Sequence, residues 1–237
     1  MNPIISIVNE SKTLSDADVK SKLPALQKQI TRDFEPAWGW GANLKFEATK
    51  CDMKMVIRDH SREGDLGFHV EAGKPVGYVY AKDDIEEQRE YTSTLSHELL
   101  EMIADPNANL YANGPFRFKG QRRIGFFAYE VCDPVSESYY KIDGVRVQDF
   151  VKPEWFEEFH KKGSMNMDHM GLLDAPFTLS EGGYIDVFSR GRWHSLTGPK
   201  AIPKRRRHRL LTRMHVLRTA VLPPDKRRNL DRPQRGE

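Results

Sequence analysis

No run of 18 apolar residues occurs in the chain, so nothing in it reads as a membrane span. Its two cysteines, Cys51 and Cys132, are too few for a disulfide framework and read as free thiols. No internal repeat is visible, which removes solenoids and propellers. Met1 to Glu10 lacks the basic start and long apolar stretch of a secretory signal, and it reads as a first strand, so a cytoplasmic product is expected. A large excess of one charge is also missing from the total, which is +3. That figure hides a division. Residues 200–237 carry 13 Lys/Arg and 3 Asp/Glu, while residues 1–199 carry 24 and 31, so an acidic body is followed by a strongly basic tail.

What is present is enough apolar and aromatic residue, 38% and 10%, for one sizeable packed domain with a small annex. Strands are expected at Ile4–Val8, Leu44–Ala48, Met53–Arg58 and Pro75–Ala81, the last at a sheet edge because of Pro75 and Gly77. Ser15 caps a helix expected to reach about Phe34, with a kink at Pro24. The segment Asp59–Lys74 reads as a loop, and Ile85–Ala104 as one long helix stopped by Asp105-Pro106. Beyond it the chain turns irregular. Short strands are expected around 126–131, 139–142 and 145–150, with a short helix after Pro153 and a hairpin in 182–193. Trp38, Trp40, Trp155 and Phe156 read as packing residues.

The long helix carries the most informative run, Ser96-His97-Glu98-Leu99-Leu100-Glu101-Met102-Ile103-Ala104-Asp105-Pro106. At about 100° per residue His97, Glu101, Asp105 and Glu98 share one face, opposite an apolar stripe. A His and a Glu at i and i+4 converge on one cation, and Glu98 beside them suits a general base for water activated by the metal. Such a face is also what a solvated acidic helix shows. A catalytic zinc needs a third protein ligand, and Tyr129-Glu130-Val131-Cys132-Asp133-Pro134 offers Glu, Cys and Asp within four residues, with Asp105 a further carboxylate on the helix itself. Oxygen-rich donors also suit calcium, but a hard-cation cage has no need of His97, so one zinc is expected. His69, in the segment read as a loop, is a candidate contact for a developing oxyanion, as are Tyr139 and Tyr140.

The helix and the downstream Glu130-x-x-Asp133 resemble an uncharacterised zincin-like group of bacteria and phages, and more distantly the phosphate-induced (exordium-like) proteins. Asp33–Gly39, Leu66–His69, Gly73–Gly77, Asp143-Gly144, Phe150–Phe156, Pro176-Phe177 and Gly182–Tyr184 match as well, so the likeness spans roughly residues 4–190. It implies an α+β fold: a zincin-like mixed sheet with an active-site helix in 1–106 and an irregular subdomain in 107–199 supplying the third metal ligand, with the basic tail 200–237 outside the likeness. It also implies a metallopeptidase-like activity, with His97, Glu101, Glu130 and Asp133 at the metal and Glu98 and His69 as catalytic groups. Peptidase helices of this kind carry His where this chain has Glu101, which adds negative charge and weakens the metal as a Lewis acid. A peptide or protein substrate is therefore one expectation. The other is an inactive interaction protein, phage-associated, whose tail 200–237 grips nucleic acid non-specifically or an acidic partner.

Overall fold

The structure, a computed structural model, describes residues 2–62 and 66–199. The basic tail and the readings placed on it lie outside the described residues. The fold is mixed α+β, as the sequence predicts. Alternating Ile5 and Ile7, both fully buried, begin strand β1 (Ile4–Asn9), which lies between β2 (Asn43–Phe46) and β3 (Met53–Arg58). Next to β3 is β5 (Lys74–Tyr80), and outside it β4 (Gly67–Ala72). All pairings are parallel except β4 with β5, where His69 stands opposite Gly77.

Two expectations are corrected here. The segment 59–74 contains a strand, and the edge of the sheet is β4, not the strand beginning at Pro75. Glycines and acidic residues around 63–73 mask the Phe68/Val70 alternation in the sequence. Pro75 sits in an interior strand at its start, paired with Glu71 beside the turn that closes the β4–β5 hairpin, where a missing N–H does least harm.

Ser15 caps helix α1 (Asp16–Lys28) through a capping box with Asp18. The helix continues across Pro24 despite its missing N–H, and the ladder widens further on, into a π-helical turn over Gln29–Phe34 that leads to the short helix α2 (Glu35–Trp38). The expected long helix is two helices, α3 (Ala81–Glu86) and α4 (Tyr91–Ala104). Gln88 adopts φ 58° at the break, while Thr94 Oγ1 donates to Asp84 Oδ1 at 2.9 Å across it.

The second half is less irregular than its composition suggests. Strands β6 (Tyr111–Phe118) and β7 (Gln121–Ala128) form a hairpin, of which the sequence reading had only the far part of β7. They join β10 (Tyr184–Ser189) and β11 (Arg192–Thr197) in an antiparallel sheet ordered β11-β10-β7-β6. A small hairpin, β8 (Tyr139–Ile142) and β9 (Val145–Gln148), completes the set, and a 3-10 turn spans Pro153–Phe156. One hydrophobic core runs through both halves, from Ile5 and Leu99 to Phe127, Trp155 and Ile185, so the boundary near 106 separates two parts of one packed body. Trp38 Nε1 donates to the Val151 carbonyl across it at 3.1 Å. Among the described residues no helix is long and apolar enough to cross a membrane.

Candidate metal centre

Helix α4 lies with β4 and β5 against it on one side and β9 on the other. Every residue of α4 except Thr94 is consequently buried, the charged face included. His97 is 4% exposed, Glu98 and Glu101 fully buried, and Asp105 2% exposed. A solvated acidic face is ruled out by those values. Carboxylates removed from water in this number require compensation by hydrogen bonds or positive charge.

Three of the expected donors meet. His97 Nε2 stands 3.1 Å from Glu101 Oε1 and 3.2 Å from Asp133 Oδ1. Two atoms bound at about 2.0–2.1 Å to one tetrahedral ion lie roughly 3.3 Å apart, so this spacing is compatible with a shared zinc, as it is with direct ion pairing of the imidazole with the carboxylates. Glu130, 3% exposed, belongs to the same cluster, with ligand atoms of Glu101, Glu130 and Asp133 all within 4.8 Å of one another. The downstream segment therefore brings both of its acidic residues to the helix.

Cys132 lies between them and also comes within range of His97 and Glu101. Complete burial pushes its thiol well above the ordinary range, and the negative charges of Glu101 and Asp133 push it further. In this surrounding it is a neutral core thiol, and its backbone N–H faces Glu101 Oε1 at 3.4 Å. Cys51 and Cys132 are both free, as expected. Asp105 turns away from ligation. Its Oδ2 accepts from the Leu110 N–H at 2.8 Å, which fixes the chain as it leaves α4.

His69 is not in a loop. It sits on β4, 2% exposed, with Nε2 donating to the Asp105 carbonyl at 3.0 Å and Nδ1 facing Glu98 Oε2 at 3.7 Å. Both ring nitrogens thus point into the protein, which corrects the loop placement and leaves no outward-facing nitrogen for the expected oxyanion contact. Tyr139 and Tyr140 are likewise occupied elsewhere. Tyr139 donates to Glu137, and Tyr140 donates to Asp33 at 2.9 Å, its phenol pushed up by burial and by the Asp33 charge.

Several positioning residues escaped the sequence reading. Gly67 is one: a Cβ there would stand 2.7 Å from Glu98 Cγ and 2.9 Å from the Tyr78 carbonyl, so β4 approaches Glu98 only because the side chain is absent. Ser96 and Gln148 are two more. Ser96 Oγ accepts from the Gln148 N–H at 2.7 Å, and Gln148 Nε2 donates to the carbonyls of Val135 and Ser138. That side chain ties the turn carrying Asp133 to the helix carrying His97. The available signal, a Ser and a Gln flanking two motifs, is too ordinary to be read without the fold.

Comparison with known protein families, with curated proteins and with solved structures returns no match.

Proposed function

We propose that this protein is a zinc-dependent hydrolase of peptide bonds, with a zincin-like arrangement of sheet and helix. The reading rests on one observation above the others: buried His97 Nε2 lies 3.1 Å from Glu101 Oε1 and 3.2 Å from Asp133 Oδ1, with Glu130 grouped beside the same two carboxylates. His97, Glu101 and Asp133 would hold the ion, with Glu130 as the neighbouring carboxylate. When bound, zinc supplies a Lewis acid that polarises a carbonyl and acidifies water. Glu98, grouped with Glu101, would serve as the general base and then return the proton to the departing amine. Gly67 leaves the room that the Glu98 side chain occupies. Two anionic ligands, Glu101 and Asp133, would moderate the ion's acidity, so a modest turnover is expected.

Metal analysis by mass spectrometry on the purified protein tests this directly. One zinc per chain is expected, lost in His97→Ala. Glu98→Gln should retain the zinc and stop cleavage of a denatured protein substrate. Stoichiometric zinc without cleavage of any peptide in a library would favour a second reading, a metal-holding interaction protein. Full burial of Glu98 is the observation on that side. Absence of zinc from a folded protein would overturn both.

A further inference from the structure

The antiparallel sheet of the second half has a charge pattern that the metal centre does not use. Its two hairpins, 111–128 and 184–197, carry six Arg/Lys and one Asp, inside a body (1–199) where acidic residues outnumber basic ones 31 to 24. Pairing of Phe188 with Phe126 and of Val187 with Phe127 runs β10 antiparallel to β7, which puts the two hairpin turns at the same end of the sheet. Arg117, Lys119, Arg122, Arg123, Arg190 and Arg192 therefore collect at one edge of the molecule. Both turns, Lys119-Gly120 and Arg190-Gly191, have positive φ at each position. The first position of such a turn prefers Asn or Asp, and the chain uses that residue type at the third hairpin, Asp143-Gly144. At this end of the sheet, cations replace it.

Arg117 and Arg122 are a directly opposed cross-strand pair, an arrangement that repulsion disfavours. Arg122 has one carboxylate partner, Glu158 at 2.8 Å, in a pair whose members are 68% and 52% exposed and so weakly coupled. On the same face as these arginines, Ile124 is 52% and Phe126 51% exposed, with half-buried Phe188 beside Phe126. The row Arg122, Ile124, Phe126 repeats at roughly 7 Å along the strand. Planar apolar surface flanked by guanidinium groups is what unpaired bases stack on while phosphates are neutralised. An acidic peptide would satisfy the cations and leave Phe126 and Ile124 in water. A bilayer would meet the polar turns before the apolar face.

We infer that the turn end and outer face of this sheet form a binding surface for single-stranded nucleic acid. The test uses the full chain and a fluorescein-labelled oligo(dT) 20-mer, with anisotropy followed over a salt series. Arg117→Gln/Arg122→Gln should flatten the log-log salt dependence by about 1.4, two phosphate contacts at about 0.7 each. Phe126→Ala should weaken binding roughly tenfold without changing the slope, as loss of a stacking contact does. Phe126 and both arginines are exposed, so a thermal melt should show each variant folded. Unchanged affinity and slope in both variants would overturn the inference, whether or not residues 200–237 bind the oligonucleotide. So would an effect of the variants on binding to poly-glutamate or to phosphatidylserine vesicles alone.

Discussion

Gly67 and Glu98 touch backbone to side chain: β4 passes so close to α4 that a methyl group on Gly67 would overlap the Glu98 Cγ at 2.7 Å. The other neighbour of that methyl is the Tyr78 carbonyl, part of the sheet, which cannot yield without breaking the ladder. Gly67→Ala should therefore move the carboxylate, at a cost of about 1–3 kcal/mol in stability. A fall of several degrees in Tm, with cleavage reduced more than zinc content, is the expected outcome in calorimetry and activity assays.

Asp149 and Asp168 are both fully buried, and Asp149 is pushed up to about 8 by burial first and then by its hydrogen bond to Asp168 and the charge there. Between about pH 4 and pH 8 the folded protein holds a proton on Asp149 that the unfolded chain has released. Stability from this group is complete below pH 4 and declines as pH rises to about 8, then levels. Urea unfolding across pH 5–9 should show that decline, and Asp149→Asn should flatten it. A profile equally steep in Asp149→Asn would assign the proton to another group.

Removing the metal should destabilise the fold as well as the activity, since ligands from α4 and from the 130–133 segment are joined through it in the proposed site. At a hundredfold excess of zinc over its dissociation constant the stabilisation is about 2.7 kcal/mol. For a chain of this size that corresponds to roughly 5–10 °C in Tm. A chelator should produce the drop and added zinc should reverse it, while Glu101→Ala should show neither response.

Ser15→Ala removes one half of the capping box at the start of α1. A loss of about 1 kcal/mol is expected. Helix α1 stands apart from the 97–133 cluster in the chain, so zinc content should stay at the wild-type level. Thermal melts with parallel metal analysis decide it.

The parts of the molecule legible in the sequence were those where a local pattern and the tertiary environment agree. Met53–Arg58 and Tyr139–Ile142 are strands with the bounds expected, and Ser15 caps the helix it announces. His97 lies 3.1 Å from Glu101 and 3.2 Å from Asp133, one of the four candidates that the sequence leaves open as a third donor. Failures occurred where tertiary context decides. Gly67–Ala72 is a strand because β5 offers it a partner, not because its composition favours one. The 85–104 segment reads as one helix, yet the chain breaks at Gln88, φ 58°, and beside the break Arg89 Nη2 reaches Glu137 at 3.0 Å, a contact no local pattern announces. His69 looked solvated because nothing in its neighbours' identities tells of the Asp105 carbonyl that holds it.

Glu101 precedes Cys132 by 31 positions, and the turn bearing Asp133 is anchored by Gln148, further on again. During synthesis, then, a chain that has emerged only through α4 shows a His and a Glu but neither the third donor nor its support. The three-donor pocket comes into being only once β9 has left the ribosome and docked against Ser96. In the proposed site, then, an ion would find its donors supported only after Gln148 has been made and has docked, and a chain cut short before that point would offer it an incomplete place.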